Sequence, residues 1–176
     1  MGWYLSEGSV YIPEKGDYRI SIAQSEKKYR NEIISLLKKM KLNFNNSSTF
    51  NLHLHSKELY FYLKKFGLSG SKYIPQNIKE LNSGLIKIFL NTLFKGDGSL
   101  SEKGKFLKYY TKSKQLAEDV VECLLKIGLC GTITKRKNKE IFMVSVINNH
   151  LTPIYRKKPV TKNYNGKVYD FSVKNG

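Results

Sequence analysis

The order of apolar and polar positions repeats along the chain with an offset of about 90 residues. Residues 1–9 and 91–99 each carry apolar positions followed by an acidic residue, a glycine and a serine. In each copy, two short segments separated by a turn come next, and an amphipathic stretch follows them. This internal repeat predicts two similarly folded halves within one chain of 176 residues.

The segments after each acidic residue have the pattern of a β-hairpin. In both halves, strand-like residues flank a turn that contains lysine and glycine, as short hairpin loops do. The predicted strands are residues 10–13 and 18–23 around Lys15-Gly16, and Leu100 and residues 106–110 around Lys103-Gly104.

A helix is predicted after each hairpin. Ser25 and Ser113 are the expected N-caps, because a serine side chain accepts a hydrogen bond from the first helical turn. Gly128 is expected to end the second helix. Apolar residues recur at helical spacing, namely Tyr29, Ile33, Leu37 and Met40 in the first helix and Leu116, Val120, Leu124 and Ile127 in the second.

Residues 49–55 alternate strictly between polar and apolar side chains. This alternation predicts a half-buried strand with Phe50, Leu52 and Leu54 on its buried face. Residues 141–147 are the corresponding segment of the second half.

Two further helices complete the predicted fold. Ser56 is expected to cap a short helix that runs to Phe66. Residues 85–95 are apolar nearly all round, which is typical of a helix buried between other elements, and Gly96 is expected to end it. The fold class is therefore α+β, with two pseudo-symmetric αββαββα repeats whose helices cover the apolar faces of two sheets.

The chain is strongly basic. It has 31 lysines and arginines against 14 acidic residues, a formal net charge of +17, and such a balance favours nucleic acid as a partner. The lysines are interspersed with 12 tyrosines and 9 phenylalanines, which indicates a folded basic surface rather than a disordered arm. Because only four of the basic residues are arginines, phosphate contacts should dominate affinity. Charge alone leaves a structural RNA-binding protein open.

Glu7 and Asp97 occupy matched positions at the ends of the two apolar runs. A carboxylate at the negative end of a helix dipole is disfavoured unless a cation lies beside it. Two such acids on packed helices would bring two oxygen-rich sites together, as Mg²⁺ prefers. A plain turn is the alternative, since Asp-Gly and Glu-Gly form turns, but the recurrence favours the metal site.

Short motifs in the expected order resemble those of the LAGLIDADG homing endonucleases, specifically the double-motif type found within inteins. Residues 90–98 resemble the second motif and residues 1–8 the first. Lys72-Tyr73-Ile74-Pro75 is similar to the segment that leads toward the second motif. Residues 22–25 and 109–113 are similar to the strand-to-helix junctions of the two repeats. The resemblance covers essentially the whole chain and implies a DNA-binding saddle with the two motif helices packed at its centre.

The resemblance also implies an activity, the hydrolysis of phosphodiesters in both strands of a long double-stranded DNA site. Glu7 and Asp97 would be catalytic and would hold Mg²⁺ or Mn²⁺. Gln24 would position the attacking water, and Lys72 would stabilise developing charge. A catalytically decayed relative, such as an RNA maturase or DNA-binding regulator, is the alternative function.

DNA contacts are expected from the polar faces of the strands and from a basic cluster between the last two strands. Internal duplication implies that one chain carries both halves of the site and acts as a monomer. The expected contact residues are Arg19, Ser21, Asn51, His53, Lys108, Lys135, Arg136, Lys137 and Lys139.

The expected domains are residues 1–82, the first repeat, and residues 83–158, the second. Residues 159–176 resemble a strand segment of an intein splicing domain. The second repeat offers Lys112, and it offers Lys157 or Lys158 as the counterpart of Lys72. No signal peptide and no membrane-spanning stretch is recognisable, so an intracellular, cytoplasmic protein is expected.

Overall fold

A computed structural model describes residues 1–11, 18–137, 139–147 and 163–169. The first half contains α1 (Gly2–Glu7), β1 (Gly8–Val10), β2 (Arg19–Ala23), α2 (Lys27–Lys39), β3 (Phe44–Asn45), β4 (Asn51–His55) and α3 (Lys57–Lys64). A short helix, α4 (Gln76–Lys79), follows. The second half contains α5 (Ser83–Asp97), β5 (Gly98–Leu100), β6 (Phe106–Thr111), α6 (Lys114–Lys126), β7 (Cys130–Lys135) and β8 (Phe142–Ile147).

The strands form two sheets with the same topology. The orders are β1-β2-β4-β3 and β5-β6-β8-β7, and every pairing is antiparallel. Ile22 lies opposite Leu52 in the first sheet, and Tyr109 lies opposite Val144 in the second. The predicted α+β fold of two similar repeats is confirmed.

One face of each sheet is apolar and packs against helices, as the alternating pattern predicts. In the first sheet, Ile20 and Leu52 are fully buried together with Ile33 of α2. In the second sheet, Val144 packs in the same core cluster as Leu124 of α6. The opposite face of each sheet is left for polar side chains.

Helices α1 and α5 pack against each other at the centre of the molecule. The packing depends on small residues. A Cβ added at Gly2 would lie 2.9 Å from the Thr92 Cβ and 3.2 Å from the Phe89 carbonyl oxygen, and one added at Gly96 would collide with Ser6. Because Gly2 and Gly96 have no side chain, α1 and α5 can pack this closely.

Several predicted boundaries are corrected. Helix α5 continues through Gly96 and ends at Asp97, and Gly96 is a contact point with Ser6 of α1 rather than a helix stop. Ser113 caps α6 as predicted, but Ser25 caps nothing and α2 starts after Glu26. Phe50 precedes β4 and is 62% exposed, so it is not on the buried face.

Other predicted elements agree with the structure or fall partly outside it. Ser56 caps α3 and Gly128 adopts a positive φ of 78° after α6, both as predicted. The predicted turn at Lys15-Gly16 lies outside the described residues, as do Lys157 and Lys158. Residues 163–169 contain no strand, and the rest of the predicted C-terminal segment is not described. Within the described ranges, no helix combines the length and apolar content needed to cross a bilayer.

Candidate functional site

The two central helices each end in a carboxylate. Glu7 is the last residue of α1 and Asp97 is the last residue of α5, and a glycine then starts the first strand of each sheet. A Cβ at Gly8 would clash with Tyr4, and a Cβ at Gly98 would lie 2.8 Å from the backbone of Phe94. Glycine therefore allows the chain to turn directly from helix to strand, which leaves both acids at the junction.

The ionised form of both carboxylates is disfavoured by its surroundings. Burial raises the pKa of Asp97 to about 7, and the nearby Glu7 adds to this rise, while Lys72 opposes it. Burial also raises the pKa of Glu7, again against the effect of Lys72. Both acids lie at negative helix ends, so a cation beside them would be favourable.

Lys72 provides the nearest buried positive charge. Its Nζ donates to the carbonyl oxygens of Tyr4 and Leu5, both at 3.0 Å, and of Gly8 at 2.7 Å. An ammonium has three donors, and all three are used here. The residue is only 6% exposed, and burial lowers its pKa while Asp97 and Glu7 raise it. Lys72 thus closes the end of α1, and its predicted catalytic role remains a prediction.

Each carboxylate lines its own cleft. Glu7 lines a cleft of about 190 Å³ with Gln24, whose Oε1 accepts a hydrogen bond from the Glu26 amide at 2.8 Å. Asp97 lines a cleft of about 260 Å³ with Lys72 and Lys112. The structure thus brings all four predicted catalytic residues to the ends of α1 and α5.

Lys112, which the sequence offers in the second repeat, lines the Asp97 cleft. It comes directly before the N-cap Ser113, just as Gln24 comes directly before Ser25, so the two occupy equivalent junctions. The match between the two repeats contained this signal. Lys112 gives the Asp97 cleft an ammonium where the Glu7 cleft has an amide.

Tyr109 lies within the strand-to-helix junction, but the sequence assigns it no role in the site. Its side chain is fully buried, and its hydroxyl has no hydrogen-bond partner within the described part of the chain. Burial raises its pKa well above the ordinary value, and Asp97 and Glu7 add to the rise. A neutral, unpartnered hydroxyl therefore lies close to the carboxylate pair.

The predicted DNA-contact residues of the first repeat share one face of its sheet. Ser21 lies opposite His53, and Arg19 and Asn51 occupy positions of the same parity on β2 and β4. Ser21 is 4% exposed, so its neighbours cover most of it. The shared face fits the prediction, while DNA contact by these residues remains a prediction.

The basic residues of the second repeat divide between two faces. Lys108 and Tyr110 lie on the polar face of β6, and the Arg136 guanidinium lies 5.9 Å from the centre of the Tyr110 ring. Lys135 pairs with Phe142, on the face that packs against helices, and its Nζ lies 5.9 Å from that ring. Lys137 and Lys139 are exposed in the connecting hairpin, as expected for a loop cluster.

The donor set fits a divalent ion that shares its coordination with substrate. Among the described residues, no three His, Cys, Asp or Glu side chains form a metal-binding group. Glu7 and Asp97 supply two carboxylates that burial makes costly to ionise without a cation. Mg²⁺ commonly takes one or two carboxylates and completes its shell with water and phosphate oxygens.

Family models match both halves of the chain. The model described as a WhiA LAGLIDADG-like domain matches residues 1–67, and the one described as a LAGLIDADG-like domain matches residues 85–158. The two matches follow each other along the chain without overlap.

Curated relatives match this chain over a small part of their own length. A replication factor C small subunit from Methanocaldococcus jannaschii is 26% identical over 162 residues, which are 85% of this chain and 8% of the relative. The RNA polymerase subunit Rpo1C of the same organism is 26% identical over 152 residues, 82% of this chain and 17% of the relative. Its transcription initiation factor IIB is 27% identical over 177 residues, 99% of this chain and 24% of the relative.

Solved structures share the fold at low sequence identity. Mesophilic variants of the homing endonuclease I-DmoI match with a TM-score of 0.62 at 20% identity, covering 84% of this chain and 85% of theirs. I-DmoI in complex with DNA and Mn matches with a TM-score of 0.61 at 20% identity, covering 83% and 85%. The N-terminal LAGLIDADG domain of DUF199/WhiA matches with a TM-score of 0.56 at 10% identity, covering 85% and 72%.

The observations agree at three levels. The two repeats have the same sheet order, their helices α1 and α5 pack at the centre, and a carboxylate ends each of these helices. The family models match the same two halves. The chain therefore belongs to the LAGLIDADG family and carries two LAGLIDADG-like domains in tandem.

Proposed function

We propose that this chain is a site-specific DNA endonuclease that uses Mg²⁺ or Mn²⁺ to cut both strands of a long double-stranded target. The observation that carries the proposal is the pair of half-buried carboxylates at the ends of the packed helices α1 and α5, each beside its own cleft. Similar structures support it, because I-DmoI has been solved with its target DNA and with Mn, Ca or Mg.

Glu7 and Asp97 are the proposed ligands of the metal. A bound divalent ion supplies Lewis-acid stabilisation of phosphate charge and lowers the pKa of water. The protein contributes two fixed carboxylates in a poorly solvated position, so little reorganisation is required when the substrate arrives. Each carboxylate lies where a motif helix turns into the first strand of a sheet, and the proposed path of the duplex backbone crosses these two junctions.

Gln24 and Lys112 have matched roles in the two clefts. The hydrogen bond from the Glu26 amide to Oε1 orients the Gln24 side chain, and its amide group retains donors for a water or a phosphate oxygen. Lys112 presents a cation beside Asp97, which suits stabilisation of developing negative charge. Lys72 is proposed to act in the same region through its charge and its contacts with α1.

The polar sheet faces are the proposed DNA-binding surface. The first sheet contributes Arg19, Asn51 and His53. The second contributes Lys108 and the basic hairpin, which we define as Arg136, Lys137 and Lys139 between β7 and β8. Because each repeat supplies one sheet and one carboxylate, a single chain acting as a monomer has the parts needed for two scissile phosphates.

The chain is also proposed to derive from an intein. The relatives have unrelated names, a replication subunit, a polymerase subunit and a transcription factor, yet each matches this chain over less than a quarter of its length. An inserted mobile element would explain one segment shared by such different proteins. The proposed repeats are residues 1–82 and 83–158, and residues 159–176 are the proposed remnant of a splicing-domain strand.

Asp97→Asn tests the proposed chemistry. We expect it to abolish double-strand cleavage of a target selected from a randomised DNA library with the wild-type protein. Affinity for that target in Ca²⁺ should remain within about threefold, since phosphate contacts come from lysines and arginines. Glu102→Gln, a change at an exposed acid in the β5–β6 turn, is the matched control and should cut normally. If the Asp97→Asn protein cut the target at the wild-type rate, Asp97 would have no part in the mechanism.

A second candidate function is DNA binding without cleavage. The match of residues 1–67 to the WhiA LAGLIDADG-like model favours it, as does the use of all three Lys72 donors by α1 carbonyls. In that case the wild-type protein would bind duplex DNA tightly but leave a randomised library uncut in Mg²⁺ and in Mn²⁺. Preference for structured RNA at equal salt would indicate a maturase-like role instead.

A further inference from the structure

The segment that carries Lys72 contacts both halves of the molecule. It lies between α3 and α5, outside both sheets, and leads through Pro75 into α4. The Lys72 side chain reaches α1. The backbone of residues 72–74 is held by α6 and by Ser113, the N-cap residue of α6.

Two buried side chains of the second repeat hold this backbone. Ser113 Oγ donates to the Lys72 carbonyl oxygen at 2.6 Å, and Asp119 Oδ2 accepts from the Ile74 amide at 2.8 Å. Ser113 is 1% exposed and Asp119 is 2% exposed. Hydrogen bonds at such buried positions are costly to lose, because the remaining partner stays unsatisfied.

Asp119 is itself fixed by neighbours. Its Oδ1 accepts from Gln115 Nε2 at 3.0 Å and from Lys79 Nζ at 3.1 Å. Lys79 also pairs with Glu122 at 2.9 Å. These hydrogen bonds orient the Asp119 carboxylate toward the segment, which suits a structural anchor.

The Lys72 side chain connects the segment to the end of α1. Lys72 Nζ binds the carbonyl oxygens of Tyr4, Leu5 and Gly8, which flank Glu7 on both sides. Helix α1 has only six residues, so few hydrogen bonds of its own hold its last turn. Displacement of the ammonium would free the turn that carries the Glu7 carboxylate.

We propose that Ser113 and Asp119 are positioning residues for the Glu7 site, acting across the repeats through the backbone of residues 72–74. They hold Lys72 on the α1 carbonyls, and Lys72 holds the turn that presents Glu7. The carboxylate of the first repeat is thus placed by the second repeat. The effect on catalysis rests on the proposed function, whereas the effect on Lys72 does not.

The first test measures the accessibility of the Lys72 amine. Wild-type protein and variants are treated briefly with acetic anhydride well below their melting temperatures, and acetylation of each lysine is quantified by mass spectrometry. We expect Lys72 to be protected in the wild type and to react about tenfold faster in Asp119→Ala and in Ser113→Ala. Ser113→Thr keeps a hydroxyl and should restore protection.

Glu122→Gln is the matched control on the same helix. It removes the Glu122 ion pairs with Lys79 and Lys126, but leaves the bonds to residues 72–74 in place. Lys72 should stay protected in this variant even if its stability falls. Equal exposure of Lys72 in Glu122→Gln and Asp119→Ala would overturn the proposal, as would protection in Asp119→Ala and Ser113→Ala. If Asp119→Ala does not fold, the pair Ser113→Ala and Ser113→Thr decides the question alone.

The second test concerns cleavage. If the wild type cuts DNA, Asp119→Ala should slow the cleavage of one strand more than the other, as followed by strand-specific end labels, because Lys72 bonds directly to the carbonyl oxygens around Glu7 but only lines the Asp97 cleft. Equal rates for both strands in a variant with exposed Lys72 would overturn the link to Glu7. A wild type that cuts no DNA would refute the proposed function, and the acetylation result would still stand.

Discussion

The Asp97 carboxylate shows what the position of one side chain costs the fold. Its pKa is raised to about 7, first by burial and then by Glu7. When an acid has a higher pKa in the folded than in the unfolded state, ionisation destabilises the fold, so stability is lost as pH rises. The effect is absent below the unfolded value near 3.8 and complete above about pH 7.

Asp97→Asn should therefore stabilise the metal-free protein at pH 8, by on the order of 1–3 kcal/mol after allowance for partial exposure. At pH 4 the two proteins should unfold at nearly the same temperature. Thermal unfolding in EDTA between pH 4 and pH 8 measures this difference. A difference that is constant over this range would show that Asp97 ionises normally.

The Tyr109 hydroxyl is a second local cost. It is buried without a partner in the described residues, so Tyr109→Phe removes an unsatisfied polar group and should raise the free energy of unfolding by about 1 kcal/mol. Tyr4→Phe is the matched comparison, because the Tyr4 hydroxyl donates to the Leu63 carbonyl oxygen at 3.2 Å and its loss should destabilise. Urea unfolding measures both. Destabilisation by Tyr109→Phe would indicate that the hydroxyl is bonded in solution.

At the scale of elements, the packing of α1 against α5 limits side-chain size. A Cβ at Gly96 would overlap Ser6, so Gly96→Ala should destabilise the protein by about 1–3 kcal/mol, as overpacking does. Ser6→Gly in the same chain should restore part of the stability. Gly70→Ala should be nearly neutral, since no atom lies within 4 Å of its added Cβ. Additive effects of Gly96→Ala and Ser6→Gly in thermal unfolding would argue against this close approach.

Periodicity predicted most elements because it reports which face of a segment is buried. It placed Leu52 and Leu54 on the buried face of the first sheet correctly, and the capping residues Ser56 and Ser113 marked the starts of α3 and α6. The errors have local physical causes. Glu26, not Ser25, is at the N-cap position of α2, and the Glu26 amide donates to Gln24 Oε1. Phe50 follows the alternation but precedes β4 and is exposed.

The site was predictable only in part for a related reason. Glu7 and Asp97 are marked by matched positions in the repeat, whereas Gln24 and Lys72 are marked only by resemblance to the family. The contacts of Lys72 with α1 and of Asp119 with Ile74 join residues far apart in the chain. No periodic pattern encodes such contacts, because they depend on how the two repeats pack.

At the scale of the whole molecule, salt dependence shows which of the positive charges meet DNA. If the basic hairpin binds phosphates, Lys137→Gln combined with Lys139→Gln should reduce the slope of log affinity against log salt by about 0.9 for each phosphate that is no longer neutralised. Lys39→Gln, at the end of α2 on the helix side of the first sheet, should leave the slope unchanged. Fluorescence anisotropy with duplex DNA at several salt concentrations measures these slopes. A slope unchanged by the hairpin variants would place the DNA elsewhere.

Each sheet is complete within one stretch of sequence: the described strands between residues 8 and 55 form one sheet, and those between 98 and 147 form the other. The exposed loop around Ser69 and Gly70 joins the two stretches. A chain opened at this loop would yield two polypeptides, each with its own sheet, and the second would carry the Lys72 ammonium that completes helix α1 of the first. Reassembly of the two polypeptides would restore the packing of α1 against α5. The pair would then be a split reporter, because the site at the ends of these helices forms only when both pieces bind each other.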